Sequence, residues 1–98
     1  MAHLELRLAN KEGTTTEELP NGRAYIIGRG ATATLRLGDR NVSRRHCSIM
    51  ITKLHTHLTD LGSKNGTFVN GERVKRNRNL QDGDVIKIGR NNELRFYQ

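Results

Sequence analysis

The chain has 98 residues, a formal charge of +7 and 34% hydrophobic residues, which suits one small domain with one core. No apolar run is long enough to cross a bilayer, and the first residues do not resemble a signal peptide. The single cysteine, Cys47, excludes an internal disulfide. We therefore expect a single domain over residues 1–98 that works inside the cell, in the cytoplasm.

Short segments that alternate apolar and polar residues follow one another along the chain. They are HLELRLA, AYIIG, TLRL, HCSIMIT, LHTHLTDL, DVIKIG and ELRFYQ. Glycine or Asn-Gly lies near most of their junctions, Pro20 falls in such a turn, and no window shows a helical period. The pattern predicts an all-β fold, either an antiparallel sandwich or a barrel.

The segment LHTHLTDL carries two predictions. Its alternation places Leu54 and Leu58 on the inner face and His55 and His57 on the outer face. A histidine pair with no carboxylate or cysteine at a ligand spacing is too small a set for a metal site, so no metal is expected. Cys47 lies on the inner face of the preceding segment and is expected in the core.

The basic character of the chain, with a sequence pI near 10.3, indicates an anionic partner. Nucleic acid, an anionic lipid surface and an acidic or phosphorylated peptide all fit that description. The densest basic run is ERVKRNRN, residues 72–79, which we interpret as an exposed connection. Charge alone does not choose among the three partners.

Three blocks at strand–loop junctions carry candidate chemistry: IIGRG, NVSRRH and DLGSKNGTFVNG. Arg29 offers a planar donor fork suited to phosphate oxygens, Ser43 offers a hydroxyl, and Arg44 adds backbone and guanidinium donors. The chain has neither a GxSxG motif nor the Gly-Lys-Ser/Thr ending of a P-loop. It is therefore expected to bind and not to catalyse, with no cofactor.

Two Asn-Gly pairs stand only three residues apart. Asn70-Gly71 is flanked by strand-like residues and predicts a two-residue hairpin turn. Asn65-Gly66 instead ends the polar run GSK. The Asn65 amide carries donors and an acceptor and could clamp an extended peptide backbone, so we interpret Asn65 as a binding residue.

The blocks GR, SRRH, DLGSKNGTFVNG and LQDGDVIKIG, in this order and spacing, resemble the forkhead-associated (FHA) domain family. The likeness runs from about Tyr25 to Phe96 and rests on four blocks together. It implies an antiparallel β-sandwich of about eleven short strands, of the FHA/SMAD-like kind. It also implies binding of phosphothreonine peptides through loops at one end of the sandwich.

The resemblance assigns roles to individual positions. Arg29, Ser43, Arg44 and Lys64 would contact the phosphate, and Asn65 would hold the peptide backbone. Structural support of the site would come from the histidine of SRRH and from three small residues of the loops: His46, Gly28, Gly66 and Thr67. The loop GDRNV, with Arg40 and Asn41, would select the residues after the phosphothreonine, and its charge predicts a preference for Asp or Glu.

The partner implied is a phosphothreonine-containing protein modified by a Ser/Thr kinase, bound by a monomeric module without nucleic acid or membrane. A phospho-independent docking scaffold that uses a sheet face remains an alternative. Nucleic-acid binding is a weaker one, because base stacking needs exposed aromatic side chains and only four aromatic residues exist. Residues 14–18, TTTEE, are a candidate for recognition by a neighbouring copy.

Overall fold

The computed structural model describes residues 2–8, 15–89 and 92–98, and these residues form eleven β-strands and no helix. The strands are β1 His3–Leu8, β2 Thr15–Glu18, β3 Ala24–Gly28, β4 Leu35–Arg36, β5 Cys47–Ile51, β6 Thr56–Asp60, β7 Thr67–Val69, β8 Glu72–Arg73, β9 Asn77–Leu80, β10 Val85–Ile88 and β11 Asn92–Tyr97. Thr14, which begins the candidate self-recognition segment, lies outside the described residues.

The strands form two sheets. Six strands make the first sheet in the order β2-β1-β11-β10-β7-β8, and five make the second in the order β4-β3-β5-β6-β9. All pairings between named strands are antiparallel except the short parallel pairing of β3 with β4. The all-β fold and its antiparallel sandwich form are therefore as the sequence predicted.

The inner faces of the two sheets form one apolar core. Leu4 of β1, Leu94 and Phe96 of β11, and Ile27 and Leu58 of the second sheet are all fully buried. Strict alternation places these side chains inward, and burial of each contributes roughly 1.5–3 kcal/mol to folding. Cys47 is also fully buried, as expected.

The turn before β6 corrects one prediction. Leu54 was expected to face inward with Leu58, but its side chain is 88% exposed, because β6 begins only at Thr56. The Thr52 hydroxyl accepts hydrogen bonds from the amides of Leu54 and His55 and closes a tight turn there. Thr56 takes the inward position instead.

The basic run at residues 72–79 is also more ordered than an exposed connection. It contains β8, the first three residues of β9 and the buried Val74 between them. Most of its side chains are exposed, as predicted. β8 and β9 are the edge strands of the two sheets, so each pairs with a neighbouring strand on one side only. Their side chains are mostly in water, and such strands have no apolar alternation from which the sequence could predict them.

Candidate functional site at the loop end

Strand register brings the three sequence blocks to one end of the sandwich, which we call the loop end. Ile27 of β3 lies opposite Cys47 of β5, and Cys47 lies opposite Asp60 of β6. The residues after Gly28, those before Cys47 and those after Asp60 must therefore leave the second sheet side by side. Blocks far apart in the chain become neighbours because antiparallel strands alternate their direction.

Backbone contact between the first two blocks is unusually close. The amides of Arg29 and Gly30 donate to the carbonyls of Ser43 and Arg44 at 2.9 and 3.0 Å. A Cβ at Gly28 would lie 2.1 Å from the Arg44 carbonyl oxygen, closer than any side chain can come. Glycine at this position lets the two segments touch.

His46 joins the second and third blocks from inside the protein. Its ring is fully buried, its Nδ1 accepts a hydrogen bond from the Ser43 amide at 3.0 Å, and its Nε2 lies 2.8 Å from the Gly66 carbonyl oxygen. Because an amide must donate and a carbonyl must accept, the ring is neutral with its proton on Nε2. One imidazole thus sets the spacing between the loops of residues 43–46 and 61–66.

Ser43 and Lys64 are coupled directly. The Lys64 amide donates to the Ser43 hydroxyl oxygen at 3.0 Å, which leaves the hydroxyl proton available to a ligand oxygen. Arg29 is fixed through its Nε, which donates to the Val42 carbonyl at 3.0 Å, while its side chain remains exposed. The two terminal nitrogens of the Arg29 guanidinium are therefore held near the loops without being buried.

Asn65 and the candidate specificity loop meet on the other side of Ser43. The Asn65 Nδ2 donates to the Asn41 carbonyl at 2.9 Å, so the Asn65 side-chain oxygen stays free to accept from a ligand. Asn41 in turn donates its amide and its Nδ2 to Asp39. Arg40 is exposed at the tip of this turn.

Two carboxylates that the sequence analysis did not single out hold these loops. Asp39 accepts from Asn92 Nδ2 at 2.8 Å, which ties the specificity loop to β11. Asp60 accepts from the Ser63 amide and hydroxyl and from the Thr67 hydroxyl, which shapes the loop that carries Lys64 and Asn65. Each Asp begins a polar turn, and that turn chemistry was the signal in the sequence.

The hydrogen bonds at Asp60 also set its protonation. Burial acts to raise the pKa of Asp60, but the hydrogen bonds from Ser63 and Thr67 outweigh it and hold the pKa below the usual value of 3.8. Asp60 is therefore a carboxylate at neutral pH. Its buried neighbour Cys47 behaves in the opposite way, since burial raises the pKa of the thiol to about 12 and keeps it an unreactive core residue.

The structure thus brings Arg29, Ser43, Arg44, Lys64 and Asn65 to one end, with the supporting residues Gly28, His46, Gly66 and Thr67 beneath them. The His55–His57 pair, with ring centroids 5.4 Å apart, lies at the start of β6, away from this end. Within residues 2–8, 15–89 and 92–98, no three histidine, cysteine or carboxylate side chains cluster as metal ligands. No helix of that part of the chain could cross a membrane.

Comparison with known proteins gives a consistent family. The sequence model of the FHA domain matches residues 25–89. The chain is similar to the FHA domain-containing protein FhaA of Mycobacterium tuberculosis, with 46% identity over 76 residues, which is 70% of this chain and 14% of that protein. The chain therefore spans a small part of the length of that curated relative.

Two solved structures are similar over nearly their whole length. One comes from a structural and functional analysis of phosphothreonine-dependent FHA domain interactions; its TM-score is 0.83 at 41% identity, with 98% of this chain and 96% of that chain covered. The other is the FhaA FHA domain complexed with the intracellular domain of Rv3910. Its TM-score is 0.80 at 42% identity, with 95% and 98% covered.

Proposed function

Because the chain belongs to the FHA domain family, we propose that its loop end reads phosphothreonine in a protein partner. The chain is a phosphothreonine-dependent interaction module, a binding domain and not an enzyme. One observation carries the assignment to this end: the Lys64 amide is fixed on the Ser43 hydroxyl, so that Arg29, Ser43 and Lys64 present donors side by side. Such a cluster matches the three acceptor oxygens of a phosphate.

The phosphate contacts are assigned to four residues. Arg29 supplies the fixed cation, Ser43 donates its hydroxyl proton, and Arg44 and Lys64 add flexible positive charge from exposed side chains. A phosphothreonine carries between one and two negative charges at pH 7, and each charge-assisted hydrogen bond to it is worth roughly 1.5–3 kcal/mol. A few such bonds are enough for micromolar binding after the cost of association.

The peptide backbone and its neighbouring side chains are assigned to the Asn65 side of the site. Asn65 keeps a free side-chain oxygen that can accept from a peptide amide while its Nδ2 holds Asn41. Asn41 and the exposed Arg40 lie where the residues after the phosphothreonine would pass, and Arg40 favours Asp or Glu there. Gly28, His46, Gly66 and Thr67 keep the loops at the required distance.

The same loops are expected to favour phosphothreonine over phosphoserine and over nucleic acid. A phosphothreonine differs from a phosphoserine by one methyl group, and an apolar contact with that methyl is worth roughly 1–3 kcal/mol. Nucleic acid suits the surface less well, because Tyr25 and Phe96 are buried and cannot stack on bases. The partner would be the substrate of a Ser/Thr kinase, and the module would act as a cytoplasmic monomer.

A binding experiment with one peptide in three forms tests this function. Phosphothreonine, phosphoserine and unmodified versions are titrated against the wild type, Arg29→Ala and the control Arg23→Ala, which removes an exposed arginine at the far end of β3. We expect binding of the phosphothreonine form only, a loss of roughly 10–150-fold in Arg29→Ala, and no change in Arg23→Ala. Equal binding of all three forms would overturn the proposal.

A further inference from the structure

The connection between β8 and β9 crosses from one sheet to the other at the loop end. β8 runs along β7 toward Thr67, and β9 leaves along β6 from Thr59. The Val74 amide donates to the Thr67 carbonyl at 2.8 Å, and the Asp60 amide donates to the Arg76 carbonyl at 2.7 Å. Residues 73–76, which we call the basic crossover, are therefore pinned on both sides of the loop that carries Lys64 and Asn65.

The positive charges of the basic crossover point outward. Arg73, Lys75 and Arg76 are exposed, whereas Val74 between them is 5% exposed and anchors the segment in the core. Among the described residues the only ion pair joins Arg78 to Glu72, so these three cations have no carboxylate within 4.0 Å. The nearby Asp60 carboxylate is already occupied by Ser63 and Thr67.

Arg73 connects the crossover to the binding loop. A Cβ at Gly66 would lie 3.0 Å from Arg73 Nε and 3.1 Å from Arg73 Cζ, so the guanidinium lies next to the residue that follows Asn65. Its planar donor fork therefore lies beside the loop that carries Asn65 and is exposed, where it can meet the carboxylate or phosphate of a bound peptide. A larger residue at position 66 would displace it.

From this placement we propose that the basic crossover is a second anion-binding subsite of the same partner. It binds acidic or phosphorylated side chains that flank the phosphothreonine in the same peptide. This inference rests on the proposed function, because the phosphothreonine fixes the peptide and the crossover reads its flank. It selects peptides whose acidic residues lie on the side of Asn65 away from Ser43.

The expected contribution is modest and sensitive to salt. Exposed ion pairs are individually weak, so loss of the three cations lowers affinity for an acidic peptide by about tenfold. The Debye length falls from about 10 Å at 0.1 M salt to about 3 Å at 1 M, so the difference shrinks at high salt.

The test compares two triple variants that remove the same charge. The first variant removes the three positive charges of the basic crossover and combines Arg73→Gln, Lys75→Gln and Arg76→Gln. The control variant removes three exposed cations elsewhere and combines Arg23→Gln, Lys53→Gln and Arg95→Gln. Four phosphothreonine peptides are titrated: one with neutral flanks, one with two glutamates before the phosphothreonine, one with two glutamates after it, and one with a flanking phosphoserine. Thermal unfolding checks that both variants fold.

Specific loss for flanked peptides is the expected result. The crossover variant loses about tenfold for at least one flanked peptide but stays within about twofold for the neutral one, and the control variant changes all four alike. The peptides that lose affinity, those with flanking glutamates, the one with a flanking phosphoserine, or both, identify the anion that the subsite binds.

Three results would overturn the subsite. They are equal losses for neutral and flanked peptides, no loss for any peptide, and a loss seen only for a single-stranded oligonucleotide titrated beside the peptides, which would assign the crossover to nucleic acid. Failure of the proposed function is distinct, because the wild type would then not bind the neutral-flank phosphothreonine peptide at all.

Discussion

The two ends of this sandwich are closed in different ways. At the loop end, the hydrogen bonds from His46, Lys64, Asn65 and Asn92 join residues separated by 20 to 53 positions in the chain. At the opposite end, which we call the turn end, the bonds of Thr52, Asn70, Asp82 and Asp84 join residues 3 to 16 positions apart. These side-chain bonds of the loop end thus join more distant segments of the chain than those of the turn end.

Charge follows the same division. The carboxylates of the loop end, Asp39 and Asp60, accept hydrogen bonds from neighbouring side chains and amides. The same end carries many exposed cations: Arg29, Arg40, Arg44, Arg45, Lys64, Arg73, Lys75 and Arg76. The turn end mixes Arg23 and Lys53 with Asp82 and Asp84. The difference teaches that the long-range hydrogen bonds position the loops, and that the proposed anionic ligand would meet cations exposed on those loops.

The closest backbone approach at the loop end should give the largest effect. Gly28→Ala places a Cβ 2.1 Å from the Arg44 carbonyl oxygen, so the loop of residues 43–46 must move. We expect a loss of about 3 kcal/mol or more in the free energy of unfolding and loss of phosphopeptide binding. Urea unfolding and peptide titration measure both.

Gly38→Ala is the matched control, because nothing lies within 4 Å of a Cβ there. It should change neither property noticeably. A Gly28→Ala variant that unfolds and binds like the wild type would show that the two loops do not need this contact.

Removal of the buried imidazole of His46 should give the second-largest effect. His46→Ala leaves the Ser43 amide and the Gly66 carbonyl without their partner, and we expect about 2–4 kcal/mol less stability together with weaker peptide binding. His57→Ala, on the outer face of β6, should cost less than about 1 kcal/mol and leave binding intact. Similar losses of stability and binding in the two variants would contradict the conclusion that hydrogen bonds between distant segments hold the loop end together.

The carboxylate under the Ser63 loop gives a prediction about pH. Asp60→Asn should lower the free energy of unfolding by about 1–3 kcal/mol at pH 7, because four donors, the amides of Gly62 and Ser63 and the hydroxyls of Ser63 and Thr67, lose a charged acceptor. The native pKa of Asp60 is below its usual 3.8, so below pH 3.8 the unfolded chain takes up the proton first. The stabilisation is therefore complete above pH 3.8 and is lost as the pH falls through the native pKa.

Urea unfolding at pH 7, 5, 4 and 3 follows that loss. The difference between the wild type and Asp60→Asn should be the same at pH 7, 5 and 4 and should shrink at pH 3, the one value below 3.8. A difference that is constant from pH 7 to pH 3 would mean that the charge of Asp60 does not matter. Asp82→Asn, at the turn end, serves as the control.

The pairs Asn65-Gly66 and Asn70-Gly71 give the smallest but sharpest comparison, since the first lies at the loop end and the second at the turn end. Asn70 has φ 52° and Gly71 φ 84°, and the Asn70 side chain bonds Asp84 and the Val85 amide. Asn70→Ala should cost about 1–3 kcal/mol of stability and leave affinity unchanged. Asn65→Ala should lower phosphopeptide affinity about tenfold with a stability change under about 1 kcal/mol.

Both variants are measured by unfolding and by titration. If each one changed both properties, the separation between a structural end and a binding end would fail. The Asn70-Gly71 turn between β7 and β8 was predicted from sequence, whereas the binding role of Asn65 stays a prediction.

Some features were predicted well and others were not, for identifiable reasons. The inward alternation of Cys47 and Leu58 was readable, because a strand has a period of two wherever one face is buried. Leu54 was misplaced because the turn at Thr52 includes Leu54 and His55, so the alternation of β6 starts only at Thr56. The roles of Asp39 and Asp60 were missed because their partners, Asn92 and Thr67, become neighbours only after folding.

The sequence by itself determined the period of the strands, the position of the local turns and the excess of positive charge, because each depends on residues a few positions apart. Tertiary structure alone decided that Ser43 and Gly66 meet at His46, that Gly28 lies against the Arg44 carbonyl, and that Arg73 of the basic crossover lies next to Gly66. The physical reason is strand pairing: antiparallel register aligns the ends of β3, β5 and β6, and no local pattern specifies that register.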